Sequence, residues 1–283
     1  MNQNLIILAA GISSRMKKSE TVADLDQALV QEANIKPKAM LSLGSAGRPF
    51  MDYLLFNAAG AGYKNVVIVI NERDNFTESY YKDQDSGALE ISFAVQSIPN
   101  GRSKPLGTAD ALLQGLYAKK EWRGKKFTVC NSDNLYSVEV FKKLLQDNHL
   151  CALIDYDRDG LGVEPERVKA FSVIHKDKQG FLLEIVEKPN LSQVENARSQ
   201  EGRVGVSMNI FSLDYNSILP ALVNCPLHPI RREKELPTAI KIMIENNPRA
   251  MFTIPVNETV PDLTGKADIL KVQAFLERLT IKN

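Results

Sequence analysis

Four polar clusters in this 283-residue chain carry groups suited to anionic, phosphorylated ligands. The first, Ala10-Gly11-Ile12-Ser13-Ser14-Arg15, sets small residues and one guanidinium after an apolar run. Backbone N–H groups brought close by Gly11, Ser13 and Ser14 can cradle phosphate oxygens, and Arg15 adds a forked cation. A plain strand-to-helix turn would use the same small residues. No second glycine and no Gly-Lys-Ser/Thr follows, so it is neither a dinucleotide fingerprint nor a Walker loop. The second cluster joins Gln96 to Gly107-Thr108-Ala109-Asp110. Thr108 is expected to N-cap a helix, and Gly107 lets backbone approach a planar base or a sugar. The third is Asn131-Ser132-Asp133-Asn134. A strand-end carboxylate such as Asp133 suits Mg²⁺, which takes one or two carboxylates and completes its shell with phosphate and water; the structural alternative is a cap for a helix from Val138. The fourth is Glu187-Lys188-Pro189, which could equally be an ordinary surface ion pair.

Binding of this kind needs a scaffold that delivers the clusters to one place. Leu5–Ala10 is a continuous apolar run, as in a strand buried on both faces. A helix is expected around Met51, Leu54, Leu55, Ala58 and Ala59, beginning beside Pro49 and ending near Gly60 and Gly62. Strands follow at Val66–Ile70, Ile91–Val95 and Phe127–Cys130, with helices at Thr108–Ala118 and Val138–Leu145. This alternation predicts a largely parallel sheet covered by helices, whose ligands bind beyond the carboxyl ends of the strands. Further along, Val168–Ile174 and Phe181–Val186 flank a turn and read as a hairpin, and Val204–Phe211 as one more strand. Helices are expected at Tyr215–Val223, Lys234–Glu245 and Lys266–Leu279. Between Arg15 and Lys38, the apolar residues Val22, Leu25, Ala28, Leu29 and Ile35 suggest a short helix, either surface decoration or a lid.

Composition narrows the function. Thirty-five Lys+Arg against 34 Asp+Glu leave no basic field for a nucleic acid. Leu5–Ala10 is too short to span a membrane and has no basic region before it, so a cytoplasmic protein is expected. Cys130, Cys151 and Cys225 show no CxxC spacing, and His149, His175 and His228 no ligand spacing, which argues for a reducing compartment and against zinc. No heptad pattern announces an oligomer, and the oligomeric state stays open.

Taken together, Leu5-Ile6-Ile7-Leu8-Ala9-Ala10-Gly11-Ile12-Ser13-Ser14-Arg15-Met16 and Lys36-Pro37-Lys38-Ala39-Met40-Leu41 resemble the signature of the sugar-phosphate nucleotidyltransferases, the nucleotide-sugar pyrophosphorylases. Pro105-Leu106-Gly107-Thr108-Ala109, Asn131-Ser132-Asp133, Glu187-Lys188-Pro189, Glu235-Leu236-Pro237 and Asp262 follow in the family's order. The resemblance implies a Rossmann-like mixed, mostly parallel sheet with helices on both faces, of the nucleotide-diphospho-sugar transferase type. It implies one unit over 1–283, with 1–150 binding nucleotide and 151–283 binding sugar phosphate. The implied reaction joins a nucleoside triphosphate to a sugar 1-phosphate and releases pyrophosphate, with Mg²⁺. Arg15, Lys38 and Asp133 would be catalytic. Ala10, Gly11, Ser13, Ser14, Gln96, Gly107 and Thr108 would bind nucleotide, Glu187, Lys188 and Asn209 the sugar phosphate, and Asp133 with Asp262 the metal.

Several features depart from that pattern. About a dozen extra residues separate Arg15 from Lys38, Asn100–Lys104 looks inserted, Ser172 stands where glycine is common, and Asp262 lacks the usual Asp-x-Gly-Thr setting. Rival readings are a nucleotide-sugar sensor, a cytidylyltransferase for a phosphorylated alcohol, and a glycosyltransferase using Asp155-x-Asp157. Asp155 to Glu166 also has calcium-loop spacing. A strand-like Cys151–Ile154 precedes it, however, and Pro165 disfavours a helix at Glu164, so an acidic surface turn is expected. The base is not legible.

Overall fold

A computed structural model describes residues 3–279 apart from 21, 23, 83, 85, 86, 163–170, 200 and 201. One sheet of ten strands organises it: β1 Asn4–Leu8, β2 Asn65–Asn71, β3 Glu90–Gln96, β4 Lys126–Asn131, β5 Cys151–Asp157, β6 Ser172–Lys176, β7 Leu182–Val186, β8 Gly205–Ser207, β9 Ile210–Asp214 and β10 Met251–Val256. The order is β3-β2-β1-β4-β9-β5-β8-β6-β7, with β10 pairing β5. Neighbours from β3 to β4 are parallel, as is β5 with β10, whereas β9, β8, β6 and β7 join antiparallel.

The apolar runs explain the layering. Successive side chains of a strand point to opposite faces, and here both faces are covered. In β1, Leu5 and Ile7 enter one core while Ile6 and Leu8 enter the other; Val66, Ile68 and Ile70 of β2 alternate with Val67 and Val69 in the same way. Helices Phe50–Ala61 and Val138–Gln146 pack on the first face, and Thr108–Ala118, Tyr215–Val223 and Leu236–Asn246 on the second. Helix Phe50–Ala61 stops at Gly62, whose φ of 105° is the left-handed geometry a helix end favours in glycine.

Helices Thr77–Lys82 and Leu191–Asn196 were not expected, and three further segments differ from the sequence reading. The run Val204–Phe211 is two strands, because Asn209 adopts a φ of 55° and turns the chain, so that β8 pairs with β5 and β6 while β9 reaches β4. Strand β10 was not expected: Pro255 interrupts its pattern, yet β10 pairs along its length with β5 and meets Gly180 and Phe181 on the other edge at Phe252 and Thr253, so a residue without an N–H is tolerated further along at Pro255. The C-terminal segment opens as a 3-10 turn, Lys266–Asp268, before helix Ile269–Leu276. Val168–Ala170 of the expected hairpin, and Glu164 to Glu166 of the calcium-loop spacing, lie outside the described residues; β6 and β7 do pair antiparallel.

The extra segment forms helix Gln27–Ile35, capped by Asp26, and is bonded down on both sides. Buried Lys266 donates from Nζ to the Ser19 carbonyl (2.9 Å), and its backbone N–H to Ser19 Oγ (3.0 Å). Glu32 accepts from Lys36 Nζ and from the Ser42 N–H and hydroxyl. Among the described residues no helix is long and apolar enough to cross a membrane.

Candidate functional site

A cleft of about 660 Å³ opens at the carboxyl ends of β1, β3 and β4. Ala10, Gly11, Ser13, Ser14, Arg15, Lys38, Gln96, Gly107, Thr108, Asp133, Glu187, Lys188 and Asn209 all line it. Residues nearly 200 positions apart in sequence therefore share one space, because β1, β3 and β4 end at that rim and the antiparallel β7 and β9 bring the second half beside them.

The first loop leaves β1 with Ser13 at a φ of 54°, an uncommon conformation for a residue with a side chain. The Ser13 hydroxyl accepts the Lys38 backbone N–H (3.1 Å), which fastens the Gly11–Arg15 loop to the Pro37–Lys38 turn. A Cβ placed on Gly11 would meet nothing within 4 Å, so packing within the chain does not demand glycine there; the space beside it belongs to the cleft. Lys38 Nζ pairs with the Asp133 carboxylate, at side-chain exposures of 18% and 17%. Asp133 is not a helix cap: Ser137 caps helix Val138–Gln146 by accepting from the Val140 N–H. Its carbonyl instead accepts from the Leu263 N–H (2.8 Å), and Asn134 bridges to Asp262. Asp262 thus lies on the segment paired to the Asp133 loop, but it is Thr264 that reaches the cleft wall, its hydroxyl 3.2 Å from the Asp262 carboxylate.

Gly107, and not Thr108, occupies the cap position of helix Thr108–Ala118. Its φ is 112°, and a Cβ there would sit 2.6 Å from the Lys234 carbonyl, so two loops meet at a position only glycine fits. Thr108 is the first helical residue, and its hydroxyl accepts the Leu236 N–H (3.0 Å). The Lys234 N–H donates to the Leu106 carbonyl, and the Ala109 N–H to that of Lys234. Lys104, in the inserted loop, pairs with Glu233, and Arg102 donates to the Arg232 carbonyl (2.8 Å).

Sequence reasoning missed Arg231. This guanidinium lines the cleft, pairs with Glu187 and contacts Glu235 at 2.7 Å. The charged run Arg231-Arg232-Glu233-Lys234-Glu235 ahead of an amphipathic helix was the available signal. Burial and then the Glu187 charge push the Glu235 carboxyl above its ordinary value, with Arg231 opposing.

The rival motif is committed elsewhere. Asp155, expected in a surface turn, is wholly buried in β5, where its carboxylate accepts from Lys176 Nζ (2.5 Å) and Arg203 Nη1 (2.8 Å). It does not line the cleft, and the strand preceding it excludes the entering helix of a calcium loop. Among the described residues no group of three His, Cys, Asp or Glu is arranged to hold a metal unaided.

Fold and cleft together define an α/β protein with a strand-end site rich in groups that bind anions. The sequence matches the family described as Nucleotidyl transferase over residues 33–254, and the chain belongs to that family. Among curated proteins it is 23% identical over 252 residues to the "Bifunctional protein GlmU" of Staphylococcus haemolyticus (strain JCSC1435), covering 87% of this chain and 46% of that protein. It is 21% identical over 194 residues to a glucose-1-phosphate adenylyltransferase of Koribacter versatilis (strain Ellin345), covering 66% and 46%. The chain spans about half the length of these curated relatives. Among solved structures, a UDP-glucose pyrophosphorylase complexed with UDP-glucose superimposes with a TM-score of 0.72 at 17% identity, over 99% of this chain and 100% of that one. A UTP-bound enzyme of the same kind from Acinetobacter baumannii gives 0.69 at 17%, over 97% and 93%. At such identities the likeness establishes the fold, mixed α/β with helices on both faces.

Proposed function

We propose that this protein transfers a nucleotidyl group from a nucleoside triphosphate to a sugar 1-phosphate, releasing pyrophosphate and forming a nucleotide sugar. The observation that carries the reading is the convergence on one cleft of the Gly11–Arg15 loop, the Lys38–Asp133 pair and Glu187–Lys188. Cations from both halves of the chain, Arg15, Lys38 and Lys188, thus line a space large enough for two phosphorylated substrates. We take residues 1–150 as the nucleotide half and 151–283 as the sugar-phosphate half of one catalytic unit.

The nucleophile is a sugar-phosphate oxygen, already anionic, so the reaction requires neither a covalent intermediate nor a strong base. The obstacle is the repulsion of two polyanions brought in line at the α-phosphorus. Backbone N–H groups near Gly11, Ser13 and Ser14, with Arg15, would hold the triphosphate and its departing pyrophosphate. Lys38 would offset charge at the α-phosphate, and fixed cations in a cleft do this without reorganising. Gln96, Gly107 and Thr108 would receive the base and ribose. Lys188 would take the sugar's phosphate, while Glu187, oriented by Arg231, and Asn209 would face its hydroxyls.

The donor set fits Mg²⁺ better than a softer metal: the donors are carboxylate oxygens, and among the described residues no cysteine or histidine lines the cleft and no group of three His, Cys, Asp or Glu could form a cage. Asp133, with Asp262 on the paired segment, would hold it. When bound, Mg²⁺ supplies further positive charge against the phosphates. Three free, buried cysteines accord with a reducing, cytoplasmic setting.

The test is a matrix of nucleoside triphosphates against sugar 1-phosphates and phosphocholine with Mg²⁺, read as pyrophosphate. Release that needs both a triphosphate and a sugar 1-phosphate supports the assignment; triphosphate binding with no release from any pair overturns it in favour of a sensor.

A further inference from the structure

Gln96 ends β3 almost wholly buried, at 1% exposure, yet it lines the cleft. Its Nε2 donates to the Asp110 carboxylate (2.7 Å) and to the Gly107 carbonyl (3.0 Å). An amide nitrogen carries two hydrogens, and both are engaged. Neither partner has a proton to give: one is a backbone carbonyl, the other a carboxylate. Rotating the amide by 180° would set Oε1 against two acceptors, so its orientation is fixed by chemistry and not by a choice between similar-looking atoms.

The two acceptors are themselves held. Gly107 is pinned against the Lys234 carbonyl, where no side chain fits. Asp110 is 9% exposed in the first turn of helix Thr108–Ala118, where the positive end of the helix dipole favours a carboxylate. Gln96 Oε1 accepts from no described residue. With Nε2 turned to Asp110 and Gly107, Oε1 is the amide atom left for the cleft that Gln96 lines.

We infer that Asp110 is a positioning residue for base selectivity: by holding the Gln96 amide nitrogen it makes a hydrogen-bond acceptor the group Gln96 offers, so the substrate edge facing it must present an N–H. This rests on the assignment of Gln96 to the base under the function proposed above. Asp110 touches no substrate itself. A freely rotating amide would serve as donor or acceptor and discriminate less, whereas a fixed acceptor rejects an edge that presents a lone pair there.

The experiment compares the wild-type protein with Asp110→Asn and Asp110→Ala. Dissociation constants for ATP, GTP, CTP and UTP are measured by calorimetry with Mg²⁺, alongside kcat and KM where turnover occurs. The expected result is a clear base preference in the wild type and a fall in the ratio between best and worst base of about threefold to tenfold in both variants, the size of one buried hydrogen bond. The KM for sugar 1-phosphate should stay near its wild-type value. A structural role alone would weaken all four nucleotides equally. No preference in the wild type, or an unchanged ratio in both variants, overturns the inference. Nucleotide selectivity lost in the variants without pyrophosphate release from the wild type would uphold it while refuting the proposed reaction. Should both variants unfold, exchange of the Gln96 side-chain amide protons in selectively labelled wild type decides: slow exchange of both is expected, and free exchange overturns the lock.

Discussion

Lys38 and Asp133, 95 residues apart in the chain, form an ion pair on the wall of the cleft. One residue comes from a short turn after the extra segment, the other from the end of β4, so the pair joins two elements that only the folded sheet brings together. Lys38→Met and Asp133→Asn should each lower kcat by about a hundredfold or more, the scale of losing one fixed charge at a developing phosphate charge. Unfolding midpoints should fall little, since each group retains some solvent contact. Steady-state kinetics checks this, and near-normal kcat in both variants would exclude the assigned roles.

Arg231 offsets two carboxylates at once. In Arg231→Ala, Glu187 and Glu235 would face each other without it, and the pairing that orients Glu187 would be lost. The KM for sugar 1-phosphate should rise about tenfold with the KM for nucleoside triphosphate nearly unchanged. Equal effects on both constants would place Arg231 outside the sugar-phosphate side.

Ser19 links the helix that bears Arg15 to the segment after Asp262. Its hydroxyl donates to the Met16 carbonyl (2.9 Å) and accepts the Lys266 N–H (3.0 Å). Ser19→Ala should cost about 1–2 kcal/mol in denaturant unfolding. It should also raise the KM for nucleoside triphosphate more than that for sugar 1-phosphate. Unchanged stability would mean that the extra segment is not anchored through this contact.

Burial, with a smaller contribution from Glu139, raises the Glu258 carboxyl above the ordinary glutamate value of 4.5, although Ser137 donates to it. The folded protein then binds this proton more tightly than the unfolded chain, so the group's contribution to stability is complete below about pH 4.5 and is lost as pH rises through its folded value. Glu258→Gln keeps an acceptor for Ser137 and stays neutral. Its melting temperature should exceed the wild type's by about 2 °C or more at pH 8, with the gap closing near pH 4. A gap independent of pH would contradict the burial argument.

The readable parts of the molecule were those dictated by local chemistry. Strands β1 and β2 carry unbroken apolar runs, and β4 one broken only by Thr128, because both sheet faces are covered, and helix Thr108–Ala118 has its predicted limits. Asn190 and Gln193 form a capping box at the start of helix Leu191–Asn196, a signal present in the sequence and passed over. Strand β10 and the break at Asn209 depend on which neighbour each strand finds, which periodicity does not encode. The site divides in the same way. Contiguous motifs placed their residues in the cleft, whereas Arg231, Lys104 and Glu233 arrive by the pairing of two loops, Leu106 to Lys234, that no local pattern announces. Thr108 was misread as a cap because Gly107 occupies that position with a backbone angle that threonine would resist.

The central claim is that a sugar-phosphate oxygen displaces pyrophosphate at the α-phosphorus, and isotope transfer tests it most directly. Sugar 1-phosphate carrying ¹⁸O in its non-bridging phosphate oxygens is incubated with the preferred nucleoside triphosphate and Mg²⁺, and the products are followed by ³¹P NMR. The account predicts that all label remains in the nucleotide sugar, part of it in the new P–O–P bridge, and that the released pyrophosphate carries none. Label in the pyrophosphate, or a nucleotide product formed without the sugar phosphate's oxygen in its bridge, would contradict it.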